Sequence, residues 1–221
     1  QREEIGTQRF KQGLKLLCKR KTYIALSDAV KREAVLATSL VGKDELKARK
    51  RILRRMDYVD SNTVVQTKGH VAAEISSADE LVLTELLVNG VFKNLPLDHT
   101  VALLSCFVHS EKSSLKDSPV LTEENFQLFS KLREQVKKVT IVSKDSRLNI
   151  DMEKYAESFS PELMQAAAAW ASGANFADIL KMSKVFEGSL VRAIRRVDEL
   201  LLQLIAACKS IGEVEQAAHF E

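Results

Sequence analysis

Two arginines near the end of the chain have a spacing that suits contact with a strand of nucleic acid. Arg192 and Arg196 are four residues apart in a segment of helical periodicity, so their side chains lie one turn apart on one face. Guanidinium groups in this arrangement can hold successive phosphates of a single strand that passes along the helix. The alternative is that they pair with Glu187 and Glu199 as solvated surface charges, and spacing alone favours that alternative.

A second concentration of positive charge lies between Lys43 and Arg55. Seven of these thirteen residues are Lys or Arg, and only Asp44 and Glu45 oppose them. Such a run is more often the solvated face of a helix than a nucleic-acid surface. Few aromatic residues interleave it, so base stacking is not expected there.

The sequence contains no complete motif of a catalytic or cofactor site. The nearest approach to a phosphate-binding loop, Ala37–Asp44, lacks the first glycine and the hydroxyl that holds Mg²⁺. The four histidines are scattered, and none has metal-ligand spacing to a cysteine or a carboxylate. Cys106 and His109 are three residues apart, but the apolar neighbours of Cys106 favour a buried structural thiol. We therefore expect no enzymatic activity, cofactor or metal in this chain.

The composition is that of a soluble globular protein built mostly from helices. Of the 221 residues, 45% are hydrophobic and 29% are charged, with only three prolines and eight glycines. The net charge of +3 is too small to indicate a partner, and three widely separated cysteines favour a reducing compartment over disulfides. No apolar run approaches the roughly 20 residues of a membrane span. The chain begins without methionine, so we expect it to be part of a longer protein.

Apolar residues recur at helical spacing over most of the chain after residue 77. Ser77 and Glu80 have the spacing of a capping box, which predicts a helix from Ala78 to about Asn89-Gly90. In the row Ala166–Ala169, small side chains let a neighbouring helix approach closely. Further helices are predicted over residues 96–107, 122–146, 160–173, 176–182 and 187–210, the last two resembling a helix-turn-helix.

A change of periodicity before residue 77 indicates a different element. Thr63–Thr67 and His70–Ile75 are β-prone runs separated by Lys68-Gly69, which predicts a short β-hairpin after the helix of the basic run. The predicted fold is therefore mainly α, a helical bundle preceded by a small winged-helix-like element with a β-hairpin. The predicted domains are a basic helical segment at 1–42, a winged-helix remnant at 43–76 and the bundle at 77–221.

Several segments resemble the exosome-associated DExH-box RNA helicases of the superkiller type. They lie between Asp44 and the end of the chain and together cover about three-quarters of it. The most specific are KGHVAAEISSADEL at 68–81, LTELLVNG at 83–90, ALLSCFV at 102–108, WASGANF at 170–176 and FEGSLVR at 186–192, with Arg195 and Arg196 following.

The resemblance implies that the chain is the C-terminal, non-motor part of an ATP-dependent RNA helicase. In this family two RecA-like domains use ATP and Mg²⁺ to move RNA, a helical bundle closes the channel, and one bundle helix acts as a ratchet. No ATPase motif is present here, so ATP and Mg²⁺ would belong to motor domains outside this chain. The single-stranded RNA contacts implied by the resemblance are Arg192, Arg196, Glu80, Arg195 and Lys68.

The resemblance also implies partners and a compartment. The partners are single-stranded RNA, the helicase motor domains, the RNA exosome and the adaptors of polyadenylation complexes, with no membrane. The match around Phe186 and Arg192 favours the nuclear member of the family, with the cytoplasmic member as the alternative. Two other functions stay open: an independent helix-turn-helix DNA-binding protein and a purely structural helical scaffold. Glu187–Val191 offers few base-reading side chains, which counts against the first of these.

Overall fold

The computed structural model describes residues 2–38, 42–108, 121–148, 150–183 and 185–221. These residues form eleven helices and no strand, and one isolated antiparallel bridge joins Val59 to Val65. The prediction of a mainly α fold is confirmed. Part of the incomplete phosphate-loop segment Ala37–Asp44 lies outside the described residues, as does the polar segment His109–Pro119.

The eleven helices of the described residues are numbered α1 to α11. In chain order they are α1 (Arg2–Thr38), α2 (Lys43–Arg55), α3 (Thr67–Glu74), α4 (Glu80–Val88), α5 (Leu97–Ser105), α6 (Glu123–Asp145), α7 (Met152–Glu157), α8 (Met164–Ala171), α9 (Phe176–Ser183), α10 (Glu187–Ser210) and α11 (Val214–Phe220). The chain divides into two units, Gln1–Lys47 and Ala48–Glu221.

The first unit contains α1 and the start of α2. The sequence predicts one or two basic amphipathic helices here, and one continuous helix spans Arg2–Thr38. Phe10, Leu14 and Leu17 share the predicted apolar face, and all three side chains are exposed. At the start of α2, Lys47 pairs with Asp44 across one helical turn at 3.4 Å.

The second unit is held together by a single hydrophobic core. The long helix α10 packs against α3, α5 and α11, while α5 packs against α8 and α4 against α6. Ala166 and Ala167 of α8 are buried, which confirms that the alanine row serves close packing. The largest buried side chains include Leu83, Leu86, Leu103, Leu104, Leu132, Met164, Leu200 and Leu204.

The β-hairpin predicted over residues 63–75 is wrong. Residues Thr67–Glu74, which include the predicted turn and most of the second predicted strand, form α3. Val71 is fully buried in the core, so tertiary packing overrides the β propensity of this run. Gly69 does not form a turn. It lets α3 approach the backbone of Tyr58 closely, because a Cβ at position 69 would lie 2.6 Å from the Tyr58 carbonyl oxygen. Without the hairpin, the winged-helix-like element stays unconfirmed.

Several helix boundaries agree with the sequence and others differ. The predicted limits of α10 are confirmed, and α4 ends at Val88 with Asn89 as its C-cap, followed by Gly90, whose φ is +71°. However, α4 begins at Glu80 with Asp79 as its cap, where Ser77 was expected. The helix predicted from Ser160 begins only at Met164, and the short helix α7 was not predicted. On α6, Phe126 recurs at helical spacing with the apolar residues Phe129 and Leu132, which predicts a core position, yet its side chain is 57% exposed.

Candidate nucleic-acid interface

The N-terminal half of α10 presents its arginines to solvent. Core side chains such as Leu190, Val197 and Leu204 occupy the opposite side of the helix and are buried. We call the exposed side chains of Arg192, Arg195 and Arg196 the arginine face. The predicted separation of a core side and a polar side on this helix is therefore confirmed.

The local contacts of the arginine face leave it accessible. Arg192 Nη2 donates a hydrogen bond to Ser189 Oγ at 3.0 Å, one turn earlier on the same helix. In the described part of the chain, neither Arg195 nor Arg196 takes part in a salt bridge, and Glu199 does not pair with Arg196. The guanidinium groups of Arg195 and Arg196 are thus able to bind an external anion without first breaking an ion pair.

Gln203 has the spacing of the polar side of α10, but its side chain is a structural bridge. Its Oε1 accepts hydrogen bonds from the backbone N–H groups of Ser76 at 2.9 Å and Ser77 at 3.1 Å. Its Nε2 donates to the Oγ atoms of the same two serines, at 3.2 and 2.6 Å. The residue therefore fixes α10 to the connection between α3 and α4, which explains why Ser77 does not cap α4.

Glu80 is the first residue of α4, three residues beyond Ser77, and its side chain is exposed. The residue before it, Asp79, caps the helix by accepting from the Val82 N–H at 2.9 Å. The second oxygen of Asp79 accepts a hydrogen bond from the Tyr155 hydroxyl at 2.6 Å. Burial of Tyr155, together with the charges of Asp79 and Glu80, raises the pKa of this phenol, so it stays protonated as a donor.

Lys68 is placed in a buried cluster by the structure. Its ammonium lies 2.7 Å from Glu85 Oε1 and 5.7 Å from the centre of the Tyr58 ring. Glu85 is almost fully buried, and its other oxygen lies 3.2 Å from the ammonium of Lys138. Burial, followed by the charge of Glu85, raises the pKa of Tyr58, whose hydroxyl donates to Glu85 at 3.4 Å. These contacts give Lys68 a structural role.

The basic run of α2 also contributes to the fold. Arg51 donates to the carbonyl oxygen of Ser146 at 3.4 Å, and Arg55 donates to the Ser146 hydroxyl at 3.2 Å. Ser146 ends α6, so both guanidinium groups lie where the helix dipole favours a positive charge. At least these two positive charges of the run therefore stabilise the second unit.

Phe186, immediately before α10, was missed as a functional candidate by the sequence analysis. Its side chain is 75% exposed, and its ring lies over Gly188, where a Cβ would come within 2.9 Å of Phe186 Cε1. An aromatic residue before a helix, with glycine two positions later, is a signal in the sequence that could have drawn attention to it.

The cysteine that the sequence analysis weighed as a nucleophile lies in the core. Cys106 is fully buried and burial raises the pKa of its thiol, so it lacks the thiolate character of a nucleophile. Its suggested partner His109 lies outside the described residues. No cluster of three metal-ligating side chains occurs in the described part of the chain. Among the same residues, no helix combines the length and apolar character needed to traverse a bilayer.

Comparison with known proteins places this chain in a family. The DSHCT (NUC185) domain family matches residues 62–221. DExH-box ATP-dependent RNA helicase DExH9 of Arabidopsis thaliana is 47% identical over 94% of this chain and 21% of its own length. Exosome RNA helicase MTR4 of Mus musculus is 48% identical over 90% of the chain and 19% of its length. ATP-dependent RNA helicase mtr4 of Schizosaccharomyces pombe is 44% identical over 83% of the chain and 16% of its length. The chain thus spans about a fifth of these relatives or less.

Proposed function

The chain belongs to the DSHCT (NUC185) domain family, and from this premise we propose that it is the C-terminal helical module of an ATP-dependent RNA helicase that delivers RNA to the exosome. The relatives named DExH9 and MTR4 are RNA helicases, and two of the relatives above carry an exosome or mtr4 name. In this proposal ATP and Mg²⁺ are bound by motor domains outside the chain. The chain itself contacts single-stranded RNA and hydrolyses nothing.

The observation that carries the proposal is the exposed arginine face of α10. The three arginines stand on a helix whose other side is fixed in the core, so the helix sets the spacing of their Cα atoms and keeps the side chains on one side. Phosphates of a single strand are recognised by such pre-positioned positive charges, with little regard to base sequence. We propose Arg192, Arg195 and Arg196 as the phosphate contacts, with Glu80 also on the RNA path.

Lys68 differs from the three arginines because its charge is already paired within the protein. Its ammonium is bound by Glu85, so a contact with RNA would have to compete with a short ion pair. RNA binding by Lys68 stays a prediction. The variant Lys68→Met tests it when circular dichroism shows that the variant is folded, because the substitution also removes a partner of the buried Glu85.

The partners and compartment of the parent protein follow from the same premise. We propose that the module works beside helicase motor domains and within an assembly that includes the RNA exosome and polyadenylation-complex adaptors. The compartment is proposed to be the nucleus, because the segment around Phe186 and Arg192 resembles the nuclear member of the family most.

The proposal is tested by measuring the affinity of the chain for a fluorescent single-stranded RNA over a range of salt concentrations. The variant Arg192→Ala/Arg195→Ala/Arg196→Ala is compared with Lys131→Ala/Arg133→Ala/Lys137→Ala, which removes the same charge from exposed positions on α6. We expect only the first variant to bind at least tenfold more weakly, and its salt slope to fall by about two, because each phosphate contact contributes about 0.7.

Two outcomes would contradict the proposal. Equal losses in both variants would show that only total charge matters, and unchanged binding in the first would show that the assigned contacts are wrong. A helicase carrying the first variant should also unwind RNA more slowly than one carrying the α6 control. Tighter binding to duplex DNA than to single-stranded RNA would favour the independent DNA-binding protein.

A further inference from the structure

Phe186 is a large hydrophobic side chain in a position that burial does not explain. It is 75% exposed, although it directly precedes α10, whose other apolar side chains are mostly buried. A ring of this size normally gains about 2 kcal/mol or more from burial. Its exposure leaves an aromatic surface beside a set of positive charges.

The ring is held on the same side of α10 as the arginine face. It lies against Gly188, and Gly188, Arg192 and Arg195 are spaced at i, i+4 and i+7, which places them in one stripe along the helix. Helical side chains lean toward the N-terminus, and the bond from Arg192 to Ser189 shows this lean. The ring thus lies at the N-terminal end of this stripe, and the Arg192 guanidinium points toward the same end.

Gly188 gives the ring a fixed seat. A Cβ at position 188 would lie 2.9 Å from Phe186 Cε1 and 3.4 Å from Cδ1, so any other residue would push the ring away from the helix. Cε1 and Cδ1 are the ring atoms nearest to Gly188, and 75% of the Phe186 side chain is open to solvent. A ring placed beside the helix in this way needs little rearrangement before a flat partner stacks on it.

We propose that the Phe186 ring is a stacking platform for one base of the single-stranded RNA whose phosphates contact the arginine face. The inference rests on the proposed function of that face. Single-stranded nucleic acids are bound by combining a positively charged track with aromatic rings, and a phenyl ring accepts any base because every base has a π-face. A nucleotide with its phosphate near Arg192 has its base within reach of a ring at the same end of the stripe.

The test compares Phe186→Leu, Phe186→Trp and Gly188→Ala with the unchanged chain in binding to a single-stranded RNA. Leucine keeps the apolar character without a π-face, tryptophan keeps the π-face, and alanine at 188 displaces the ring. We expect about tenfold weaker binding for Phe186→Leu, binding close to that of the unchanged chain for Phe186→Trp, and an intermediate loss for Gly188→Ala. The salt slope should not change in any of them, because stacking releases no counterions.

An RNA backbone of the same length with abasic sites provides the matched probe. The difference between Phe186→Leu and the unchanged chain should disappear on this probe, while the arginine variant should still bind it more weakly. The inference is overturned if Phe186→Leu binds normal RNA as tightly as the unchanged chain, or if its loss persists on the abasic probe. It is also overturned if Phe186→Leu weakens only the association with helicase motor domains, which would assign the ring to a protein interface. In each case an arginine variant that loses RNA binding leaves the proposed function standing.

Discussion

Lys68 and Glu85 form an ion pair of 2.7 Å between two helices, and only the lysine reaches solvent. The Glu85 side chain is 2% exposed, and its two oxygens also meet Tyr58 and Lys138. A buried carboxylate is stable only when its charge is compensated in this way. The pair therefore joins α3 to α4. Tyr58, which follows α2, and Lys138 on α6 complete the cluster around Glu85.

Replacing Glu85 with alanine should lower the free energy of unfolding by about 3 kcal/mol, because the Lys68 ammonium loses its carboxylate partner and is left with the Met56 carbonyl oxygen as its acceptor. Urea unfolding followed by circular dichroism measures this change. Lys138→Met is the control, since Lys138 is 55% exposed and its loss should cost about 1 kcal/mol or less. Equal effects of the two variants would show that Glu85 is not the centre of the cluster.

Replacing Gln203 with leucine should destabilise the second unit by about 1 to 2 kcal/mol. The substitution removes the acceptor for the N–H groups of Ser76 and Ser77, which water replaces only in part. Hydrogen exchange of these two amides should become faster, and urea unfolding gives the energy. Gln127→Leu is the matched control, because Gln127 is exposed and its side-chain hydrogen bond is to Glu123 on its own helix. A stability unchanged in both variants would contradict the bridging role.

Replacing Gly69 with alanine should destabilise the protein by about 1 to 2 kcal/mol, although alanine is the better helix former. The added methyl would lie 2.6 Å from both the Tyr58 carbonyl oxygen and Val65 Cγ1, and overpacking of this kind costs about 1 to 3 kcal/mol. Gly13→Ala on α1 is the control. It meets no atom within 4 Å and should gain up to about 1 kcal/mol of helix stability. A stabilising Gly69→Ala would show that Tyr58 is further from α3 than described.

One thiol of three should react quickly with a disulfide reagent such as DTNB at pH 8. Cys18 is exposed, whereas Cys106 and Cys208 are buried. Burial and the charge of Glu213 raise the pKa of Cys208 to about 11, so its thiolate is scarce at any pH well below that value. The second and third thiols should react only after urea unfolding. The Cys18→Ser variant should lose the fast phase, and a fast phase that remains would contradict the described burial.

The parts of the fold that the sequence predicts well are those that depend on local periodicity and helix ends. The stripe of α10 repeats over more than six turns, and the glycine after Asn89 marks the end of α4. The region of residues 63–75 could not be predicted in this way. Its β-branched residues favour strands locally, but the burial of Val71 and the close approach of Gly69 to Tyr58 favour a helix.

The remaining differences between the predicted and the observed structure come from contacts between residues that are far apart in the sequence. Ser77 and Glu80 fit a capping box, yet Gln203, 126 residues beyond Ser77, binds that serine and leaves the cap to Asp79. The exposure of the arginines in the candidate site followed from the helical period alone. The ion pair of Lys68 and the seat of Phe186 on Gly188 required coordinates, because neither leaves a periodic pattern in the sequence.

Asp79 accepts two hydrogen bonds, one from the Val82 N–H and one from the Tyr155 hydroxyl, and this limits the substitutions that the chain tolerates at position 79. Aspartate is short enough to cap α4 and still has a second charged oxygen for Tyr155, whereas asparagine offers an amide nitrogen there and serine has one oxygen only. In a saturation library selected for folded protein, position 79 should therefore accept very few residue types. The adjacent exposed Glu80 should accept many, so depletion of its variants only under selection for RNA processing would separate a working residue from a structural one.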